Sequence, residues 1–190
     1  MAEATVLFEG YVGKDGDSSR VGSTVGFIRD GDALIVVDPG LVPDHGSILE
    51  PLAGHGVGPD EVTDVILSHH HPDHTMNTAL FPVARVHDHW AHYRGDVWTS
   101  RPAEGFQVSP SVHLIETPGH SPQDISTLVH ADAGLVVFTH LWWFEAGPPE
   151  DPYADPGRLH ADRARVLQLR PALIVPGHGP AFEPGTETVR

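Results

Sequence analysis

Apolar positions along this chain come in short, nearly continuous runs rather than at helical spacing. Such runs stand at 4–12 (ATVLFEGYV), 23–30 (STVGFIRD), 33–40 (ALIVVDPG), 62–69 (VTDVILSH), 84–88 (ARVHD), 112–120 (VHLIETPGH), 125–131 (ISTLVHA), 135–141 (LVVFTHL) and 172–179 (ALIVPGHG). Most are bounded by Gly, Pro, Asp or Asn, the pairing of apolar run and turn residue that marks strands. Helical spacing fits 43–55, 75–81, the region around 88–94 and 158–169. Strands therefore outnumber helices, with the helices interspersed. The expected class is α+β: two sheets packed face to face with helices outside, in a single domain over 1–190.

The ends of these runs share a second regularity. VVDPG, ILSHHHPDH, IETPGH, VVFTH and IVPGH each place a polar or metal-capable residue just past an apolar stretch. Strands that share a direction deliver such ends to one rim, where distant segments can build a site on rigid supports.

Composition narrows the chemistry. With 20 Gly and 18 Pro in 190 residues, many turns and short elements are expected. There are no cysteines, so disulfides and thiolate ligands are excluded and a metal must be held by His, Asp and Glu. The formal net charge is −15 and Lys14 is the only lysine. Nucleic-acid binders need a basic patch to neutralise phosphates, so no nucleic-acid partner is expected, and no anionic membrane surface. The arginine-containing stretch 158–170 (RLHADRARVLQLR) reads as a solvated helix face. No basic leader precedes the first strand-like run, and no apolar run approaches the roughly 18 residues of a membrane span. The expected location is cytoplasmic.

Residues 69–74, HHHPDH, concentrate the metal-capable side chains. In a locally extended segment, residues i and i+2 point the same way, so His69 and His71 can grip one ion while His70 points elsewhere. Pro72 biases His71 away from helical backbone. Asp73 and His74 then turn toward a second position beside the first.

SHHHPDH resembles the HxHxDH signature of the metallo-β-lactamase superfamily. ETPGHS (116–121) resembles its TPGHT segment, VPGHG (175–179) its late PGHG segment, and VVDPG (36–40) the strand and turn ahead of the first ligands. The likeness runs over roughly residues 5–182 and implies a four-layer αββα sandwich with metals at one rim. TPGHSPQDISTLV is most similar to small bacterial hydrolase-like members and their animal relatives. Carried over position by position, the resemblance implies His69, His71 and His120 on a first metal, and Asp73, His74 and His178 on a second. Asp73 would also orient the water or take its proton.

One position departs from the family. A strand between the TPGH and PGHG segments usually ends there in Gly-Asp, and that aspartate bridges two metals. Here the segment is VVFTHLWW, with His140 in its place. A carboxylate offers two oxygens and a negative charge, whereas a neutral imidazole offers one nitrogen and none. His140 is therefore expected to ligate the second metal or carry a proton beside it, and Asp124 to support the site from behind. The expected cofactor is Zn2+, one or two ions, with Fe2+ or Mn2+ as alternatives.

The leading expectation is a metal-dependent hydrolase in which the ion acidifies a water and polarises a carbonyl or phosphoryl oxygen. Neither the C-terminal extension of glyoxalase II-like enzymes, nor the basic arms of the family's nucleases, nor the export signal of secreted β-lactamases is expected. A small ester, thioester, lactone or phosphodiester remains as substrate. The alternatives are a mononuclear iron oxygenase of the same fold and a degenerate member that binds or senses a ligand. The Gly- and Ser-rich stretch 10–24 is expected to be a mobile loop over the pocket. Trp142 and Trp143, with Phe144 and Tyr153 nearby, are expected to wall it or to close a homodimer. His87, His89 and His92 are expected at the surface or behind the site.

Overall fold

The computed structural model describes residues 1–148 and 151–189. Fourteen strands and three α-helices are present among them. In chain order the strands are β1 (Glu3–Phe8), β2 (Tyr11–Asp15), β3 (Ser18–Gly22), β4 (Val25–Asp30), β5 (Ala33–Val37), β6 (Asp64–Ile66), β7 (Arg85–His87), β8 (Ala91–Arg94), β9 (Val97–Ser100), β10 (Gln107–Ser109), β11 (Val112–Glu116), β12 (Ile125–Ala131), β13 (Gly134–Thr139) and β14 (Leu173–Pro176). The helices are α1 (Gly46–Gly54), α2 (Pro72–Thr75) and α3 (Pro156–Gln168). One sheet has the order β1-β4-β5-β6-β7-β8-β9 and the other β10-β11-β12-β13-β14, with β2 and β3 forming a separate hairpin.

Side chains alternate across each strand, and both faces of both sheets are covered. Ile28, Ile35, Val37 and Ile66 of the first sheet meet Leu114, Ile125, Val129 and Phe138 of the second in the central core. On the outer face of the first sheet, Phe27, Val36 and Val65 pack with Ile48 and Leu52 of α1. On the outer face of the second, Val137 and Ile174 pack with Leu159 and Val166 of α3. This is the αββα sandwich expected from the sequence. Burial on two sides explains why the strands read as near-continuous apolar runs instead of alternating ones. No helix among the described residues is long and apolar enough to cross a membrane.

Strand direction sets the rim. β5, β6 and β7 run parallel in the first sheet, and β13 runs parallel to β14 in the second. β11 is antiparallel to β12, which is antiparallel to β13, so β11 shares the direction of β13.

Several elements differ from the expectation. The run 4–12 is two strands, because the chain turns at Gly10, where a Cβ would stand 2.4 Å from the Thr24 nitrogen. The stretch 10–24 is not a loop but holds the antiparallel hairpin β2–β3, turning at Gly16 with φ +60°. Residues 88–94 contain no helix: β8 pairs with β9 across Gly95, also at φ +60°. The 75–81 helix is reduced to the four-residue α2 and a 3-10 turn at Thr78–Leu80. The helices expected at 43–55 and 158–169 are α1 and α3. The latter is capped by Asp155, which accepts from the Gly157 and Arg158 amides at 2.9 and 3.2 Å. The stretch 158–170 is not wholly a solvated face, since Arg163 is fully buried and donates to the Leu141 and Pro148 carbonyls.

Candidate metal centre

Five segments beyond strand ends converge at this rim. After β6, the Ser68 amide donates to Asp38 Oδ1 at 2.7 Å, which aims His69 into the gap between the sheets. His71 is extended (φ −66°, ψ 143°), as a residue before proline should be, and Pro72 opens α2. That single helical turn swings Asp73 and His74 back toward the rim. Gly40 makes room for it: a Cβ there would lie 1.5 Å from the Asp73 carbonyl oxygen. After β11, the turn holding His120 is closed by Asp124, which accepts from the His120 and Ser121 amides at 2.9 Å each. His140 follows β13 directly, and His178 follows β14.

The imidazole nitrogens face one another. His71 Nδ1 is 2.9 Å from His69 Nε2 and 3.0 Å from His120 Nε2, and His140 Nε2 is 3.0 Å from His178 Nε2. The outer nitrogens of four of the rings have partners. His74 Nδ1 donates to Asp38 Oδ2 at 2.9 Å, His120 Nδ1 to Asp151 Oδ2 at 2.5 Å, and His178 Nδ1 to the Gly22 carbonyl at 3.0 Å. His69 Nδ1 lies 3.0 Å from Ser68 Oγ. Carboxylates and carbonyls only accept, so on His74, His120 and His178 the outer nitrogen carries a proton, and in the neutral ring the lone pair points inward. Converging lone pairs repel unless a cation sits among them. His74 Nε2 is buried with no hydrogen-bond partner among the described residues, Asp73 Oδ2 standing 3.5 Å away, and a cation between them would remedy this.

The donor atoms fall into groups close enough to share an ion. His69, His71 and His120 form one group, and Asp73, His74 and His178 another, the atoms within each lying no more than 4.8 Å apart. His140 joins His69 and His74 in a third, and His120 and Asp151 in a fourth. Its ring stands at the middle of the cluster, with centroids 4.2 to 4.9 Å from those of His120, His69, His74 and His178. Imidazole and carboxylate donors in these groupings fit zinc-type ions, and outer hydrogen bonds to the ring nitrogens are what such sites use to aim their ligands.

Burial and mutual repulsion hold His69 and His140 well below the usual histidine range, and burial lowers His71 as well. Burial and the neighbouring His74 bring His178 down to about 4. His74 moves up: burial opposes its cation, but Asp38, Asp73 and Asp124 outweigh it. Burial pushes Asp124 up to about 6. Mostly neutral imidazoles are the form that binds metal.

These shifts set the acid sensitivity of the metal-free protein. His69, His71, His140 and His178 take up protons less readily folded than unfolded, so their stabilising contribution is complete above pH 6.5 and is lost as pH falls. His74 and Asp124 work in the opposite sense but are fewer. Lowering the pH from 6.5 to 5 should cost about 2 kcal/mol through His178 alone, or roughly 4–8 °C in Tm. Thermal melts of chelator-treated protein at pH 7.5 and 5 check this; a higher Tm at pH 5 would refute it.

A cavity of about 520 Å³ opens onto His71, Asp73, His120, His140 and His178. Val12 and Val21 of the hairpin and Leu41 form one wall, and Trp143 and Tyr153 the other. Trp143 thus stands where expected, but Trp142 does not. It is fully buried beneath α3 with its indole against Phe182, because adjacent residues beyond a strand face opposite ways. His70 turns outward to Asp88 at 3.2 Å. Asp124 belongs to none of the groups able to share an ion, and neither do His87, His89 or His92; His87 is bonded to Asp64 at 2.7 Å. Two contributors were not foreseen, Asp38 and Asp151. Asp38 carried a signal, since it ends the run VVDPG, and its φ of 50° is uncommon for a non-glycine residue. Asp151 lies in a Pro-rich stretch with no pattern to mark it.

Two packed sheets flanked by helices carry a histidine cluster able to hold metal at their strand ends, and residues 19–125 match the metallo-beta-lactamase superfamily. The chain belongs to that superfamily. It is 36% identical to metallo-beta-lactamase domain-containing protein 1 of Xenopus laevis, over 93% of this chain and 79% of that protein. It is 34% identical to the Homo sapiens protein of the same name, over 78% of this chain and 59% of the other. Solved structures share the fold. A Thermotoga maritima protein assigned to the metallo-beta-lactamases superposes with a TM-score of 0.77 at 23% identity, covering 96% of this chain and 99% of that one. An N-acyl homoserine lactone hydrolase, solved with N-hexanoyl-L-homoserine at its catalytic metal centre, superposes with a TM-score of 0.68 at 19% identity, covering 93% and 92%. A protein in a di-iron-bound form gives 0.65 at 24%, covering 85% and 89%.

Proposed function

We propose that this chain is a metal-dependent hydrolase of small acyl substrates: esters, thioesters or lactones, with low-molecular-weight phosphodiesters as a lesser class. The observation that carries this reading is the convergence of the His69, His71 and His120 nitrogens beside a cavity that His71 and His120 line and that has an apolar wall. Those three residues would hold a first ion, Zn2+ in this reading or alternatively Fe2+ or Mn2+, and Asp73, His74 and His178 a second, with His140 between the two groups. A bound ion supplies an acidified water and polarises the scissile carbonyl.

The protein's own groups do the rest. Asp73, about one-sixth exposed at its side chain, is the carboxylate that faces both the cavity and the donor atoms, so it orients the water and receives its proton. Val12, Val21, Leu41 and Trp143 bind the acyl part and keep bulk water from it. The lactone named for one structural neighbour is a substrate of the same class.

Metal analysis of protein purified untagged and without chelator, followed by an ester, thioester and lactone screen, tests this. The expected result is one or two zinc ions per chain and hydrolysis that chelator abolishes and zinc restores. No metal after reconstitution would overturn the reading, and iron with oxygen uptake would replace it by an oxygenase.

The wall makes a further demand. Val12 borders both this cavity and a second one of about 360 Å³ that shares Ser19, Trp143 and Tyr153 with it. Val12→Asp should lower kcat/KM for hexanoyl esters by roughly tenfold, the worth of one apolar contact, and leave acetyl esters unchanged. Equal losses for both chain lengths would place the acyl group elsewhere.

A further inference from the structure

Asp151 ties the metal-facing histidines to the cavity wall. It is buried at 6% exposure on the segment between β13 and α3. Its Oδ2 accepts from His120 Nδ1 at 2.5 Å and from the Trp143 indole Nε1 at 2.8 Å, and its Oδ1 accepts from the Tyr153 amide at 2.9 Å. One carboxylate thereby fixes the proton of His120 on Nδ1, turns the Nε2 lone pair toward His71, and holds two wall residues. Trp143 and Tyr153 in turn flank the His120 ring, with centroids at 6.0 and 5.7 Å. Arg163 anchors the same segment from below through the Leu141 and Pro148 carbonyls.

Charge strengthens the case. His140 stands where the family's bridging carboxylate would be, so Asp73 is the one carboxylate in the two groups assigned to the ions. An anion bonded to the outer nitrogen of a ligand histidine makes the inner nitrogen a stronger donor. Asp151 therefore returns negative charge to the site from behind, and it does so from the segment that shapes the cavity.

We propose that Asp151 is a positioning residue that couples metal occupancy to the acyl cavity: it aims His120 at the ion and, through the same carboxylate, sets Trp143 and Tyr153. This rests on the reading of His69, His71 and His120 as metal ligands. Coupling is reciprocal, so what orders the wall also tightens the ion.

Asp151→Asn tests it through zinc competition against a fluorescent chelator and through Trp143 emission, isolated by subtracting Trp143→Phe. In the parent protein, zinc should change Trp143 emission. In Asp151→Asn, zinc affinity should fall 10–100-fold, and the emission change should be lost even at saturating zinc. Asp151→Glu keeps the charge on a longer arm and should recover part of the affinity. If the asparagine variant does not fold, the glutamate variant decides, because its arm must displace either His120 or Trp143. Parental affinity and parental emission in the folded variant would overturn the proposal. So would a parent whose zinc binding leaves Trp143 emission unchanged. A parent that binds no zinc at all would instead overturn the hydrolase reading.

Discussion

His71→Ala is expected to lose the first metal and with it at least about 10³-fold in hydrolysis, while melting within about 0.5 kcal/mol of the parent in metal-free form. The separation of the two effects comes from exposure. Among His69, His71 and His120, His71 is the exposed one, so its truncation opens no cavity in the core. Its Nδ1 nevertheless lies within 3.0 Å of both other donor nitrogens, and an ion there would be left with two protein ligands instead of three. Metal content, chelator-treated melts and ester hydrolysis measured on one preparation check all three parts. A variant that keeps its metal and its activity would show that this trio is not the binding site.

His140→Asp should act in the opposite direction on metal. The ring stands at the middle of the histidine cluster, where a carboxylate would supply the charge that two neighbouring dications need. A charge pair near 4 Å is worth up to about 4 kcal/mol at an effective dielectric of 20, and part of that goes to desolvating the new anion. The second ion should therefore bind roughly 10–100-fold more tightly, and stoichiometry should move toward two per chain. Without metal the same variant should be less stable than the parent by about 3 kcal/mol, because it buries an unpaired charge where His140 is 3% exposed. Zinc should reverse that deficit. Unchanged stoichiometry and affinity would remove any special role for His140.

The two predictions bear on different groups of donors, and the Asp151 variants on a third point of the same cluster. His71 tests whether the first ion is held, His140 whether the second is limited by charge, and Asp151 whether the wall and the ion are linked. The acyl-length test at Val12 does not depend on how many ions bind. Together they separate a two-ion hydrolase from a one-ion hydrolase, and both from a chain that binds no metal.

Much of this was legible before folding. HHHPDH, TPGH and PGHG carry their chemistry in residue type and short-range spacing, and the turn that aims them is local: Pro72 sets His71 and starts α2. The runs that became β5, β6, β13 and β14 were legible because burial on both faces demands continuous apolar sequence. The weaker elements were not. β2–β3 and β8–β9 are hairpins whose side chains are largely exposed, so their residues carry little hydrophobic pattern. Gly16 and Gly95 mark their turns, a signal too short to distinguish a hairpin from a loop. Trp142 and Trp143 looked alike in sequence, and packing beneath α3 decided which of them faces the cavity.

Local pattern was enough for the class of fold, for the rim where the strands end and for the donor types placed there. Folding in three dimensions was needed to set Asp38 behind His74 and Asp151 behind His120, and to seat His140 among four other imidazoles. Those pairs join residues 36 and 31 positions apart. A hydrogen bond between such distant segments leaves no periodic trace in either one; it exists only once the strands of each sheet have paired and brought their ends to one edge.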